Sequence, residues 1–353
     1  MSLTRVPYCR ANVQAVKNNR ENISIMFKKI LSVIIAAAAF AALPSCGSNG
    51  SSKKEGEISV VCTIFPEYDW VKNITKDVKG VKITYLLENG ADLHSYQPSA
   101  EDMLAISDCD LFIYAGGESD NWVDDALENK QNDDMKIINM LQTLSKVDMV
   151  KEEEVKEGMQ PEEEEKEEHE AAGEKEYDEH TWLSVTNAKL ICSEINNALC
   201  DIDKDNKEKY KSNYSDYLNE LNALDDDFKK LSSDAKQKTL IFGDRFPFRY
   251  FTDEYGFDYY AAFVGCSAET EASFQTIAFL AGKTDELNAS TVFAIENSDG
   301  KIAQAIIDNT TARSAKTETL YSLQSVTKQQ LDDGVTYISL MRKNLETLRK
   351  ALC

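Results

Sequence analysis

The sequence predicts an α/β fold in which two parallel-sheet lobes are joined by one long, rigid helix, and three observations lead to this prediction. Short apolar runs typical of strands alternate with helical patterns in two successive series. Such alternation favours parallel sheets with helices on their faces. A single apolar stripe at helical spacing lies between the two series. The chain of 353 residues is 42% hydrophobic, which is enough for two domains with cores of their own.

The chain begins with a segment predicted to be an export signal rather than part of the fold. A Lys-Lys pair precedes an apolar run of 14 residues from Ile30 to Leu43, and a small-residue site leads to Cys46. This order is typical of a secretory signal with a lipobox-like end, so Cys46 is the predicted lipidation site. The run is too short for a transmembrane helix, which needs about 20 apolar residues. We therefore assign residues 1–45 to an N-terminal extension and signal peptide, and residues 46–56 to a flexible tether.

The two series of strands define an N-terminal lobe over residues 57–205 and a C-terminal lobe over residues 232–353. The first series predicts strands at Ile58–Phe65, Val81–Leu87, Asp110–Tyr114 and Lys136–Met140, with helices at Asp69–Val78 and Ser99–Ser107. The second series predicts strands at Thr239–Gly243, Asp258–Phe263, Thr291–Ile295 and Glu318–Ser322.

The segment between the lobes predicts one helix over residues 206–231. Its apolar residues recur at alternating steps of four and three: Tyr210, Tyr214, Tyr217, Leu221, Leu224, Phe228 and Leu231. This is one stripe on one helix face, and the helix would be about 39 Å long at 1.5 Å per residue. A dimerising coiled coil is the alternative, but three heptads are few for one. A helix lying along both lobes of a monomer is the better interpretation.

The net charge of −22 is concentrated in one segment. Residues 151–180 contain 15 acidic residues and 4 lysines, or half of the net charge. Such a block repels itself, so residues 151–179 are predicted to form a solvated acidic loop. With His169, this loop would raise the local concentration of divalent cations. The same charge disfavours nucleic acid and anionic membrane surfaces as partners.

The eight cysteines argue against a cysteine-only zinc site. They contain no CxxC pair, which such sites normally require. The five that lie outside the N-terminal segment and the C-terminus are predicted to be mainly small buried residues: Cys62, Cys109, Cys192, Cys200 and Cys266.

Two of the three histidines, His94 and His180, are the strongest candidates for binding a metal ion. His94 lies in a turn-rich segment after a predicted strand, and His180 directly follows the acidic run. Imidazole is the commonest protein ligand for zinc and similar ions. In open α/β sheets, ligands bind beyond the carboxyl ends of the strands.

The surrounding motifs resemble the zinc and manganese substrate-binding lipoproteins of bacterial ABC importers. Three motifs carry the resemblance, in the order found in that family: Gly-Ala-Asp-x-His-x-Tyr-x-Pro at 90–98, Gly-Gly-Glu-Ser-Asp-Asn-Trp at 116–122 and Asp-Glu-His-x-Trp-Leu-Ser at 178–184. The resemblance extends from about Glu57 to the C-terminus. It implies a receptor that binds a divalent metal outside the membrane and delivers it to an ABC importer permease, with a lipid anchor and no chemical conversion.

The second lobe departs from the family pattern, which leaves the remaining ligands open. The resemblance places Arg245 at the third ligand position, and a guanidinium stays protonated and cannot bind a cation. Asp244 is the nearest replacement and Glu296 the predicted fourth ligand, while Glu269 and Glu271 are alternatives. Asp92 is a further candidate, as the acceptor for an imidazole N–H.

Two imidazoles with oxygen donors favour Zn²⁺ as the bound ion, and Mn²⁺, which usually takes more carboxylates, is the alternative. A zinc hydrolase is disfavoured because the HExxH motif is absent from the sequence. A metal-dependent surface adhesin would explain export and acidity, and it remains the alternative from another class.

Overall fold

The computed structural model describes residues 56–147, 149–152, 154–160, 177–267 and 271–353. Glu55–Cys353 forms one compact unit. The predicted signal peptide, Cys46, His169 and Glu269 lie outside the described residues. Among the helices of the described residues, none combines the length and the apolar character that crossing a membrane requires.

The first lobe is a four-stranded parallel sheet with helices around it, as predicted. Its strands are β1 (Ile58–Cys62), β2 (Val81–Tyr85), β3 (Leu111–Tyr114) and β4 (Lys136–Asn139), in the order β2-β1-β3-β4. Its helices are α1 (Phe65–Ile74), α2 (Ala100–Asp108), α3 (Trp122–Glu128) and α4 (Met140–Ser145).

Helix α1 begins four residues earlier than the sequence pattern indicates, at the end of the apolar run that predicts the first strand. Pro66 is in its first turn, where the missing N–H costs no hydrogen bond. The Glu67 carboxylate accepts hydrogen bonds from the N–H groups of Thr63 and Ile64, at 2.8 and 3.2 Å. These contacts end the strand at Cys62 and start the helix.

Two helices link the lobes: α5 (Val185–Ile202) and α6 (Lys207–Asp234). Helix α6 confirms the helix predicted from the apolar stripe, and its 28 residues span about 42 Å. Near its start, Asn213 donates to the carbonyl of Ile74 in the first lobe, at 2.9 Å. Near its end, the ring of Phe228 packs 5.0 Å from that of Phe251 in the second lobe. The helix therefore lies along both lobes.

The second lobe repeats the strand order of the first. Its strands are β5 (Thr239–Phe246), β6 (Asp258–Val264), β7 (Thr291–Ile295) and β8 (Lys316–Leu320), parallel and in the order β6-β5-β7-β8. Its helices are α7 (Arg249–Tyr255), α8 (Phe274–Glu286), α9 (Lys301–Asn309), α10 (Lys328–Asp332) and α11 (Tyr337–Leu352). The predicted two-lobe α/β fold is thus confirmed, while the exact domain boundaries remain predictions.

One hydrophobic cluster extends through both lobes, and a second, smaller cluster lies within the second lobe. The last helix returns to the first lobe, where the ring of Tyr337 packs 5.3 Å from that of Trp70. The backbone N–H of Tyr337 also donates to the buried Asp69 carboxylate at 3.0 Å. Burial raises the pKa of Asp69 to about 6. Buried apolar residues of both lobes accordingly belong to one continuous cluster.

Part of the acidic loop predicted over residues 151–179 packs against β6 instead of remaining solvated. The Met159 side chain is buried. Lys156 forms an ion pair with Asp258, at 2.5 Å, and its ammonium lies 4.0 Å from the centre of the Tyr259 ring. Lys156 and Met159 supply these contacts, although glutamates surround them in the sequence. The excess of negative charge therefore does not keep this part of the segment in solvent.

Candidate metal centre

The structure brings His94 and His180 together, with ring centroids 5.3 Å apart. His94 lies in a short 3-10 turn, Leu93–Ser95, in the connection that follows β2. His180 immediately precedes a second 3-10 turn, Thr181–Leu183, that leads into α5. The predicted pair of histidines is therefore a spatial pair, although 86 positions separate them along the chain.

His180 is held by the aspartate two positions before it. The Asp178 carboxylate accepts the backbone N–H of His180 at 2.8 Å and lies 3.0 Å from its Nδ1. An imidazole that donates Nδ1–H to a carboxylate presents Nε2 as its lone pair for a metal. The ring is buried, and a Cβ on Gly265 would lie 3.0 Å from its Cε1. Such a contact is tighter than most Cβ contacts, so a side chain at this position would press on the imidazole ring.

His94 has a different partner for its ring. Its Nδ1 lies 2.8 Å from the Ser119 hydroxyl oxygen, and the Ser119 backbone N–H donates to Glu179 Oε1 at 2.7 Å. Burial, with the neighbouring His180 and Arg245, lowers the pKa of His94 to about 3, against the opposing effect of Asp92. The imidazole is therefore neutral near pH 7 and can act as a ligand.

The carboxylate of Glu179 lies beside this pair, and only one of its two oxygens, Oε1, accepts a hydrogen bond among the described residues. Its Oε2 is buried, has no hydrogen-bond partner among the described residues and lies 4.0 Å from His94 Nδ1. Burial raises the pKa of Glu179 to about 7, although hydrogen bonds from Ser119 and the proximity of His180 lower it. Gly117, at φ 91°, lets the backbone pass here, since a Cβ would be 2.5 Å from Glu179 Cγ. A bound cation would compensate this buried negative charge.

A third potential ligand, Cys266, joins the two histidines. One ligand atom from each of His94, His180 and Cys266 lies within 4.8 Å of the other two. Cys266 is not among the ligands predicted from the sequence; it was predicted to be a small buried residue, and it is only partly buried. Its position two residues beyond the end of β6, at Val264, was the available signal, because ligands collect at the carboxyl ends of parallel strands.

The other cysteines agree with their predicted structural role. Four of the five are fully buried in the core: Cys62, Cys109, Cys192 and Cys200. Burial raises the pKa of the Cys62 and Cys192 thiols well above the usual value, as expected of structural cysteines.

Asp244 does not belong to the group formed by the histidines and Cys266. It lies inside β5, not beyond its end, at a register irregularity between Phe242 and Arg245. Its carboxylate accepts the backbone N–H of Arg245 at 2.9 Å and that of Ile295 at 3.3 Å. These contacts satisfy backbone N–H groups of β5 and β7, next to the irregularity in the pairing of β5 with β6. They give Asp244 a structural role, and its predicted role as a ligand stays a prediction.

Glu296, the predicted fourth ligand, is also outside the group. It follows β7 as expected, but its carboxylate accepts from the backbone N–H and hydroxyl of Ser322, at 2.6 and 2.7 Å, and from the N–H of Leu323 at 3.1 Å. Burial raises its pKa despite these bonds. Of the two alternatives, Glu271 is exposed and Glu269 lies outside the described residues.

Arg245 of the second lobe and Asp92 of the first lobe form an ion pair between the lobes. The Arg245 Nη2 lies 2.6 Å from Asp92 Oδ2 in the first lobe, and its Nη1 donates to the Ser267 carbonyl at 3.4 Å. Asp92 also accepts the backbone N–H of His94, at 3.0 Å. Its predicted hydrogen bond to an imidazole is wrong, because the ring of His94 contacts Ser119 instead. Although burial raises the pKa of Asp92, Arg245 holds it below the usual value.

Comparison with known sequences gives matches over nearly the whole chain. Residues 60–351 match the family model described as the periplasmic zinc-uptake complex component A. The high-affinity zinc uptake system protein ZnuA of Bacillus subtilis (strain 168) is 29% identical over 331 residues, covering 93% of this chain and 99% of that protein. The zinc-binding lipoprotein AdcA of Streptococcus pneumoniae serotype 4 is 28% identical over 324 residues, covering 91% of this chain but only 61% of AdcA.

A solved structure supports the same relationship at the level of the fold. The Zn(II)-bound ZnuA-like domain of Streptococcus pneumoniae AdcA superposes with a TM-score of 0.64 at 26% identity. The match covers 84% of this chain and 99% of that domain. The fold of two α/β lobes is therefore shared with a domain crystallised with zinc.

Proposed function

We propose that this chain, which belongs to the periplasmic zinc-uptake complex component A family, binds a divalent metal ion, zinc in preference to manganese, outside the cytoplasm and delivers it to an ABC importer. The observation that carries the proposal is the pair of histidines, His94 and His180, whose ring centroids lie 5.3 Å apart. Each ring has its Nδ1 engaged by a neighbouring side chain, which leaves Nε2 for the ion.

Electrostatics support capture of a cation. His94 is neutral at physiological pH, with a pKa lowered to about 3, so no proton competes for its lone pair. The buried Glu179 carboxyl, whose Oε2 lies 4.0 Å from His94 Nδ1, supplies negative charge when it is ionised. Binding of M²⁺ would relieve the unfavourable burial of that charge.

The donors favour zinc over manganese. The clustered ligand atoms belong to two imidazoles and a sulfur, and these donors suit zinc, while manganese prefers carboxylates and other oxygen ligands. The family is one of metal receptors for transport and not of enzymes. The ion is accordingly cargo, held and released unchanged.

The cellular setting follows from the sequence. The proposal puts the chain outside the cytoplasm with a lipid anchor at Cys46; the predicted signal supports this, and the relative AdcA is named a lipoprotein. Its partner is then the permease of an ABC importer, and the receptor acts as a monomer.

A metal competition experiment tests the proposal. The purified protein should bind one zinc ion in calorimetry, and excess Mn²⁺ should fail to displace it. The double variant His94→Ala, His180→Ala should lose the tight site, because no imidazole remains in the group. His169→Ala is the matched control, since it removes the third histidine, and it should bind zinc as the unmodified protein does. Tight zinc binding by the double variant would refute the proposed site.

A further inference from the structure

The second lobe places the sulfur of Cys266 beside the two histidines. The sequence predicts carboxylates, Asp244 and Glu296, as the further ligands. Strand β6 ends at Val264, which pairs with Phe246 at the end of β5. The chain then passes Gly265, where an added Cβ would lie 3.0 Å from the His180 ring, and reaches Cys266. The missing side chain at Gly265 allows the backbone of the second lobe to approach the buried imidazole this closely.

The distances fit one ion shared by the three side chains. The ligand atoms of His94, His180 and Cys266 lie within 4.8 Å of one another. Even at that upper limit, the three atoms need to move inward by less than about 1 Å to reach zinc bond lengths of about 2.0 Å for nitrogen and 2.3 Å for sulfur. Side-chain rotation alone supplies movements of that size.

A second, independent observation marks the same place as a cation site. Glu179 is 1% exposed, and its Oε2 lies 4.0 Å from His94 Nδ1, beside the cluster, without a hydrogen-bond partner among the described residues. Buried charges in proteins are paired or near metal ions. The carboxylate thus provides charge near the ion, while the three cluster atoms provide bonds.

We propose that Cys266 binds the metal as a thiolate and completes a site of two histidines and one cysteine with His94 and His180. The inference rests on the proposed function, because it names the third ligand of that same site. On binding, the thiol proton leaves to solvent and a sulfur lone pair forms the bond to the ion. A thiolate is a soft ligand, so it strengthens binding of zinc far more than binding of manganese.

Cobalt spectroscopy tests the bond directly. Co²⁺ occupies zinc sites, and a thiolate ligand gives it an intense near-ultraviolet sulfur-to-cobalt absorption that nitrogen and oxygen ligands do not give. The purified, reduced protein titrated with Co²⁺ should show this band, saturating at one equivalent. Cys266→Ser should bind one Co²⁺ without the band, and its zinc affinity should fall by about a hundredfold. Cys353→Ser, at an exposed cysteine, is the matched control and should keep both.

The outcomes separate this inference from the proposed function. If the unmodified protein binds one Co²⁺ tightly without the sulfur band, the thiolate assignment is refuted and the receptor function stands. If no tight binding occurs at all, the proposed function itself fails. Because the first measurement uses the unmodified protein, it decides the question even if Cys266→Ser does not fold. A Cys266→His variant should restore zinc affinity without the band, which a purely structural role for Cys266 would not explain.

Discussion

The two segments Asp92–His94 and Asp178–His180 have the same local design and different surroundings. In each, an aspartate accepts the backbone N–H of the histidine two positions later, at 3.0 Å for His94 and 2.8 Å for His180. This contact is an Asx turn, which depends only on neighbouring residues. The imidazole rings, by contrast, are oriented in two different ways.

His180 is oriented from within its own segment, since Asp178 contacts both its backbone and its ring. His94 is oriented by Ser119, 25 positions away, while the second oxygen of Asp92 binds Arg245, 153 positions away. Asp178 therefore positions the candidate ligand His180, whereas Asp92 connects the loop of His94 to the opposite lobe. An identical motif does not imply an identical role.

The largest difference in zinc affinity should be found between variants of the two aspartates, Asp178 and Asp92. Asp178→Asn should weaken zinc binding by about 10- to 100-fold, because it removes the charge that fixes the tautomer of His180. Asp92→Asn removes the same charge from the other motif and should cost less than about fivefold in affinity. Calorimetry with a competing chelator measures both. Equal losses in the two variants would show that the aspartates have the same role.

Glu179→Gln should weaken zinc binding by about tenfold, or 1.4 kcal/mol, because it removes the buried charge near the ion. It should also stabilise the metal-free protein at high pH. The pKa of Glu179 is raised to about 7, so its contribution to stability is present below its unfolded pKa, near 4.5, and is lost as the pH rises through 7.

Urea unfolding with a chelator present checks this second expectation. At pH 8, the free energy of unfolding of Glu179→Gln should exceed that of the unmodified protein by on the order of 1–3 kcal/mol. At pH 4, the two free energies should agree. A variant less stable at both values would mean that the carboxylate stabilises the apo fold.

Ser119→Ala should weaken zinc binding by up to about tenfold, since the ring of His94 loses the partner of its Nδ1. The matched control is Ser95→Ala, which alters a hydroxyl next to His94 in the sequence. If Ser95→Ala had the larger effect, the contact between His94 and Ser119 would not orient the ring.

The smallest effect should come from the cross-cleft ion pair. Arg245→Gln should weaken zinc binding by about threefold and accelerate release, because the loop of His94 is no longer tied to the second lobe. The double change with Asp92→Asn should cost no more than the larger single change, since both remove one interaction. Stopped-flow chelator competition measures release. Additive losses would show that the two residues act separately.

Much of the fold was predictable because local patterns determine it. All eight strands were located from apolar runs, and the apolar stripe of α6 located the linking helix. The end of the first strand was placed too late, since the run from Ile58 to Phe65 does not reveal that Glu67 caps a helix start at Phe65. Packing of residues near Met159 also escaped the prediction, because charge counting cannot identify individual contacts.

The candidate site was predictable only in part. His94 and His180 follow from motifs, and Ser119 lies in a motif that the sequence analysis quoted without assigning it a role. Asp244 was favoured because its strand appeared to end at Gly243, whereas β5 continues to Phe246. Its carboxylate is used by backbone N–H groups, and such a contact cannot be seen from composition or spacing.

The sequence by itself determined the alternation of strands and helices, the helix between the lobes and the two Asp-x-His turns, because each depends on residues close together in the chain. Only the tertiary structure decided which groups meet at the candidate metal centre. In the folded chain Cys266 lies beside the histidines and Arg245 pairs with Asp92. The carboxylates of Asp244 and Glu296 accept hydrogen bonds from backbone N–H groups. The physical reason is that a ligand set depends on distances of a few ångströms between elements far apart in the chain, and these are fixed by how the two lobes pack.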